Sequence, residues 1–302
     1  MRNDRTAAAV IMDGAGQDED PALLRRVLGA RLRRLRETAG ISGEAAGRTI
    51  RASHSKISRL EAGRVGFRAR DIDDLLTLYG VIDPAVRAEY AQLASRANAI
   101  GRWENDADLI PLRQDTYVAL EDAAAIIRCY APGLVPELVR TPSYAHTVSA
   151  IAHREPAADI QRRVELLMRR QHLLTRPGAP KVWFVIEEAA LRRPIGGNEV
   201  WQTQLDHLAD LAVRPNITVQ VLPDYVGGPA ISSVPFTVLR FAAPELSDLV
   251  HLHHATGTQF LDKRADLDRY NSIWSRLCVC ATPPEQTLEV IDTIRSSHTL
   301  DA

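Results

Sequence analysis

The sequence predicts an α+β chain in two parts: an N-terminal all-α domain of five short helices, then a mixed α/β domain whose sheet is flanked by helices. Three observations predict it. From residue 22 to 98, apolar residues recur at spacings of three and four, in short segments punctuated by Gly and Pro. After residue 180, short apolar runs rich in Val, Ile and Phe alternate with helix-patterned segments. Charge is divided: residues 21–70 hold thirteen Lys and Arg against three acids, +10, which leaves −11 for the rest of a chain of net charge −1. At 302 residues, two domains are the ordinary expectation. The divisions expected are a flexible arm over 1–20, the helical domain over 21–98, a linker over 99–115 and the second domain over 116–299.

The helices of the first domain follow in order. Leu24, Val27, Leu28, Leu32 and Leu35 give an amphipathic helix over 23–38, stopped by Gly40. Ser42 caps a short helix over 43–50, with Ala45, Ala46 and Ile50 facing in, and Gly47 permits close approach to the next helix. Arg51-Ala52 is the turn. Ser53 caps a helix over 54–62 that ends at Gly63, where a left-handed cap is wanted. Ile57 and Leu60 face inward on this helix. Ser53, His54, Ser55, Lys56 and Arg59 occupy the opposite, polar face. This is the pattern of a helix-turn-helix, whose second helix enters the DNA major groove. Two more helices follow over 69–79 and 84–97, with Asp71 and Pro84 in their first turns.

The charge split fits that reading, since a basic module tethered to an acidic one matches nucleic-acid binding by the first alone. The plainer explanation of Arg31, Arg33, Arg34 and Arg36, a solvated helix face, is weakened because the charge coincides with the helix-turn-helix pattern. No apolar run is long enough to span a bilayer, and the N-terminal apolar patch is too short for a signal peptide. A cytoplasmic protein is expected, with Cys129, Cys278 and Cys280 as free thiols.

In the second domain, Tyr117 to Cys129 reads as an Ala-rich helix with Leu120, Ala124 and Ile127 inward, broken by Pro132 and Pro136. Helices are expected over 143–152, 157–175, 188–193, 199–213, 266–281 and 285–296. Strands are expected over 181–187, 217–222, 236–241, 249–254 and 259–261. His251 and His253, two apart on a strand, point the same way and have metal-ligand chemistry. No spacing fixes a third ligand among His207, Cys278 and Cys280, so a polar strand face is the better reading and no metal is expected. Cys278-Val279-Cys280 lacks the two-residue gap of a zinc knuckle. Glu187-Glu188 is more simply a helix start than an acid/base pair. Gly227-Gly228-Pro229 is a turn, and Arg162-Arg163, Arg169-Arg170 and Arg192-Arg193 are read as solvated faces.

Residues 28–81 resemble the repressor-like helix-turn-helix regulators called XRE type. The resemblance is carried by Leu32, Arg36, Gly40, Ile41, Ala46, Ile50, Leu75 and the run from Ser55 to Gly63. It implies that His54, Ser55 and Arg59 face bases or nearby phosphates, that Ser53 and Lys56 contact the DNA backbone, and that Arg36 pairs with Glu61. Such regulators often begin the second helix with a phosphate-contacting Gln. This chain has Gly43 there, so the contact passes to Ser42, Arg48 or Arg51, with Arg64 also near phosphates. Residues 116–298 resemble the C-terminal domain of actinobacterial WhiJ-like regulators. Leu120-Glu121, Leu134-Val135-Pro136, Arg140-Thr141-Pro142 with Tyr144, Arg169-Arg170-Gln171, Trp183 to Glu188, Ala190 to Gly197 and Val219 to Pro223 carry that resemblance. The pattern is departed from near Glu137, and at His251 and His253, where Tyr and Glu are usual.

The resemblance implies a transcriptional regulator of development or secondary metabolism that binds operator DNA, with a second domain that dimerises or senses a ligand or partner. The alternative is an antitoxin-like protein that sequesters a small partner from a neighbouring gene and regulates its own operon. Double-stranded DNA, a second copy of the chain, a small partner protein and a small-molecule ligand are the partners expected. No enzymatic activity, cofactor or membrane contact is expected.

Overall fold

Asp20 opens the first helix: its side chain accepts from Ala22 N at 2.9 Å, and Pro21 fills the first helical position. In the computed structural model, which describes residues 20–99, 114–152, 156–226, 234–244, 246–254 and 257–299, this helix is α1 (Pro21–Thr38). Then come α2 (Gly43–Thr49), α3 (His54–Glu61), α4 (Ala69–Leu78) and α5 (Pro84–Ala97). The expected arm, most of the linker and the Gly227-Gly228-Pro229 turn lie outside the described residues. Contacts divide the chain into two units, the first carrying these five helices.

Helices α1 to α4 all end in the same way. The residue after the cap turns left-handed, and its N–H and the next one reach back to two open carbonyls. Gly40, Gly63 and Gly80 take that position after α1, α3 and α4, with φ of 67°, 66° and 77°. After α2 the position is held by Arg51 at φ 54°. Arg51 N donates to Arg48 O at 3.1 Å and Ala52 N to Gly47 O at 2.8 Å. Leu28, Leu32, Ala46, Ile57, Leu60, Leu75 and Leu76 close the core between the helices. Backbones touch where side chains are missing. A Cβ on Gly29 would lie 2.5 Å from the carbonyl oxygens of Leu60 and Glu61, so α1 crosses the end of α3 at that point. Gly47 abuts Ala52 and Ser53, the turn and cap, rather than the body of α3.

The second unit is a six-stranded mixed sheet covered by helices. Its elements in chain order are α6 (Gln114–Asp122), β1 (Ile126–Ala131), α7 (Pro142–Ala152), α8 (Ala157–Gln171), β2 (Lys181–Glu187), α9 (Glu188–Arg192), α10 (Asn198–Ala212), β3 (Ile217–Leu222), β4 (Phe236–Arg240), β5 (Leu249–His254), β6 (Gly257–Leu261), α11 (Arg264–Cys280) and α12 (Thr287–Thr299). The strand order is β3-β2-β1-β4-β5-β6. The β1, β2 and β3 strands run parallel, and β4, β5 and β6 are antiparallel to their neighbours.

One expectation is corrected. The helix expected over Tyr117 to Cys129 stops at Asp122, and Ile126–Ala131 is a central strand. Pairing with β2 on one side and β4 on the other engages both edges of this segment, and its Ile, Cys and Tyr side chains suit a strand buried on both faces. Alternation then sorts its residues. Tyr130, Phe236 and Leu252 lie in one row and pack under α11 with Trp274 and Leu277. Cys129, Thr237 and His251 lie in the row on the other face.

Candidate nucleic-acid interface and a cavity beside the sheet

The helix-turn-helix is α2, the Arg51 turn and α3. Ser53 Oγ accepts from Lys56 N at 3.3 Å and Ser42 Oγ from Ala45 N at 3.2 Å, so each serine caps its helix. A hydroxyl that accepts at a cap keeps its proton for a second partner such as a phosphate oxygen. Ile57 and Leu60 are buried, whereas Ser53, His54, Ser55, Ser58 and Arg59 are exposed along the same helix. Arg48, Arg51 and Arg64 are exposed around it. Among the described residues, Arg59 Nε reaches only the Ser55 carbonyl of its own helix, at 3.4 Å.

Two of the residues expected at the DNA also make contacts within the unit. Lys56, expected on the DNA backbone, is half-buried, and its Nζ lies 2.9 Å from Asp71 Oδ2, tying α3 to the first turn of α4. His54 lies against Gly43: a Cβ at residue 43 would come within 2.6 Å of His54 Cδ2. The imidazole thus fills the space that a side chain at the start of α2 would take. Arg36 and Glu61 meet through two hydrogen bonds, Nε to Oε1 at 2.6 Å and Nη2 to Oε2 at 2.9 Å, while Arg36 Nη1 donates to Ile41 O at 3.0 Å. Hydrogen bonding to Glu61 raises the Arg36 pKa against the opposing effect of burial.

The second unit holds a cavity of about 420 Å³ where α6, the loop after β1, α8 and the sheet face of His251 meet. The loop is fixed by side chains that serve its backbone. Gln171 Nε2 donates to the Glu137 and Arg140 carbonyls at 3.0 and 2.8 Å, and Gln204 accepts from Thr141 N and donates to Val139 O. Arg140 Nε donates to Val135 O at 2.8 Å.

Beside the cavity lies an ionic cluster centred on the buried Arg170 and Glu121. Arg170 Nη2 is 2.9 Å from Glu121 Oε2 and Nη1 is 2.8 Å from Glu137 Oε2, with the Tyr117 hydroxyl donating to the other Glu121 oxygen. Burial opposes the charge on Arg170, but Glu121 and Glu137 outweigh it and raise its pKa. Burial likewise works against the Glu137 carboxylate, yet the Arg170 and Arg140 guanidiniums hold its pKa down at about 2. His251 is 6% exposed, with its ring stacked 3.7 Å from that of Tyr117. Burial, and next the neighbouring His253, push its pKa down to about 3, so the imidazole is neutral at ordinary pH. Cys129, in the same row, is pushed up to about 12 by burial and is not a reactive thiolate.

Residues 114–293, more than half of the chain, match the family described as a domain of unknown function (DUF5753). The chain belongs to the DUF5753 family. Residues 27–90 match a helix-turn-helix domain, a DNA-binding fold, in agreement with the geometry of α2 and α3. No curated protein and no solved structure matches the chain.

Within the DUF5753 domain the other expected chemistry is dispersed. Glu187 accepts from the Tyr130 hydroxyl, whereas Glu188 accepts from Arg192 Nε at 2.7 Å and from Asp224 N at 3.2 Å, so the two carboxylates serve separate structural roles. His251 and His253 rings are 6.4 Å apart. Among the described residues no three His, Cys, Asp or Glu gather as a metal site. Cys278 and Cys280, in the last turn of α11, pack against the core beneath that helix. No helix among the described residues is long and apolar enough to cross a membrane.

The row of Cys129, Thr237 and His251 is a polar strand face that lines the cavity. One reading is corrected: Arg170 is buried at the cluster and not on a solvated helix face. Its position was available from α8: Ile160, Val164 and Leu167 mark the inward stripe, and residue 170 continues it three places on. Glu137, His251 and His253, where the sequence departs from the pattern it resembles, all line the cavity.

Proposed function

We propose that the chain is a sequence-specific transcriptional regulator that docks α3 in the major groove of operator DNA. The observation that carries the reading is α3 itself. It is capped by Ser53 and closed by Gly63, with two buried apolar residues on one side and His54, Ser55 and Arg59 exposed on the other. In this reading His54, Ser55 and Arg59 face base edges, and Ser42, Ser53, Arg48, Arg51 and Arg64 lie along phosphates. Lys56 contributes by holding α3 on α4. The chain acts as a dimer that reads two half-sites about one helical turn, roughly 34–36 Å, apart. The DUF5753 domain supplies dimerisation or senses a small molecule that changes operator affinity. A role in development or secondary metabolism follows from the WhiJ-like resemblance of residues 116–298.

The test is a titration of labelled DNA from upstream of the chain's own gene, with random-sequence DNA as competitor, over a series of salt concentrations. The reading requires binding that survives random competitor and a salt slope of about −0.9 per phosphate contacted. Equal affinity for all DNA at every salt concentration would remove sequence recognition from the account.

A further inference from the structure

The cavity of the DUF5753 domain has an apolar wall and two polar side chains that, among the described residues, keep hydrogen-bonding atoms unmatched. Ile127, Leu134, Leu138 and Phe184 supply the wall. At about 420 Å³ it lies toward the small end of sites that take small molecules, about 300–1,000 Å³.

The polar residues divide sharply. Glu121, Glu137 and Arg170 satisfy one another, and the Tyr117 hydroxyl joins them. Arg140 is different. Its Nε is bound to Val135 O, and among the described residues neither Nη makes a hydrogen bond, although the side chain lines the cavity. Burial lowers its pKa, the mark of a charge taken out of water. His251 also lines the cavity, and its Nε2 is buried with no partner among the described residues. The Arg140 Nη donors, charged and open to the cavity, would gain a charge-assisted bond from an incoming carboxylate, and the buried imidazole of His251 would gain from a polar partner at Nε2. Both carboxylates at the site are already engaged, and an ammonium would face two guanidiniums instead. With Arg140 and Arg170 balanced by Glu121 and Glu137, a small anion meets no net repulsion, and the open fork of Arg140 matches a carboxylate.

We propose that this cavity binds a small organic acid with an apolar body, its carboxylate on the Nη groups of Arg140, its second polar contact at His251, and its body against Phe184 and Leu138. This deepens the sensing role proposed above and rests on it for its meaning. Binding is scored without DNA, so a failure of DNA recognition leaves the result unaffected.

The experiment is calorimetric titration of the full chain with 1-naphthoate and octanoate, each against its neutral counterpart, 1-naphthalenemethanol and 1-octanol. At least one acid is expected to bind at least tenfold more tightly than its alcohol. Arg140→Gln is expected to abolish that preference while leaving the alcohol's affinity within about twofold, on the order of 0.4 kcal/mol. Because a change at Arg140 can disturb the loop, the unmutated chain is also followed by nitrogen NMR, in which the His251 imidazole resonances, assigned with His251→Gln, are expected to shift on addition of that acid. Absence of binding by both acids, equal binding of acid and alcohol, an unchanged preference in a folded Arg140→Gln, or an unmoved His251 would each overturn the proposal.

Discussion

Arg36 and Glu61, twenty-five residues apart, are joined fork to fork across the N-terminal unit at 2.6 and 2.9 Å, with only 15% and 10% of their side chains exposed. The pair fixes the end of α3 to the end of α1, and the same guanidinium holds the chain that leaves α1 through Ile41 O. Removing one partner from such a site strands the other. Arg36→Met should therefore destabilise the unit by about 3 kcal/mol, toward the low end of the cost of breaking a buried pair because both groups keep some exposure. Urea unfolding checks this. In a double-mutant cycle with Glu61→Gln, the two changes should add to much less than the sum of the singles.

Arg51 should be stabilised by becoming glycine. It occupies the left-handed position that Gly40, Gly63 and Gly80 take elsewhere in the same unit, and a non-glycine residue there costs about 1 kcal/mol or more. Arg51→Gly is expected to raise stability by about 1 kcal/mol, to weaken operator binding, and to reduce the salt slope by about one phosphate contact. Paired thermal melts and DNA titrations read both effects. A more stable protein with unchanged DNA affinity would remove Arg51 from the interface.

Arg170 bridges Glu121 and Glu137 in the interior of the DUF5753 domain. Arg170→Met leaves the buried Glu121 without its counter-charge, whereas Glu137, 41% exposed, keeps water, so the change should cost about 3 kcal/mol, the low end for a broken buried pair. The loss should shrink at low pH, where protonated carboxyls no longer need the guanidinium. Denaturant unfolding at pH 7 and pH 4 measures the difference.

His251 gives the domain an acid-sensitive limb. Its folded pKa, about 3, lies below the ordinary value of 6.5, so the unfolded chain binds the extra proton first. The contribution is complete above about pH 6.5 and is lost as the pH falls toward 3, at up to about 1.4 kcal/mol per pH unit. Between pH 6.5 and 5, His251→Phe should lose about 1.6 kcal/mol less stability than the parent chain. Parallel slopes in the two proteins would show that the imidazole does not titrate as its burial requires.

The N-terminal unit was legible in the sequence because its signals are local. Ser42, Ser53 and the glycines mark the helix ends within a few residues of the caps they make. Arg51 carries no such mark, since only the structure shows an arginine where its three counterparts are glycine. Strand β1 was hidden because Tyr117, Leu120, Ala124 and Ile127 keep helical spacing straight through the break at residues 123–125. Pairing with β2 and β4, some fifty and a hundred residues away, decides that segment. The cavity was illegible for the same reason: its walls come from residues 117 to 253 and no short pattern joins them. Arg170 lay within reach of the apolar period of α8, but a doubled arginine reads as surface until that stripe is followed through it.

The central claim is that α3 reads DNA sequence, and Arg59 tests it most directly, since it is exposed and, among the described residues, its guanidinium holds only a weak contact within its own helix. The measurement is the ratio of affinities for upstream DNA and random DNA, in the parent chain and in Arg59→Ala, at one fixed salt concentration. The account predicts that Arg59→Ala loses about 1–3 kcal/mol on the specific DNA and far less on random DNA, so that the ratio collapses. An unchanged ratio, with the protein folded, would contradict the assignment of α3 as the reading helix.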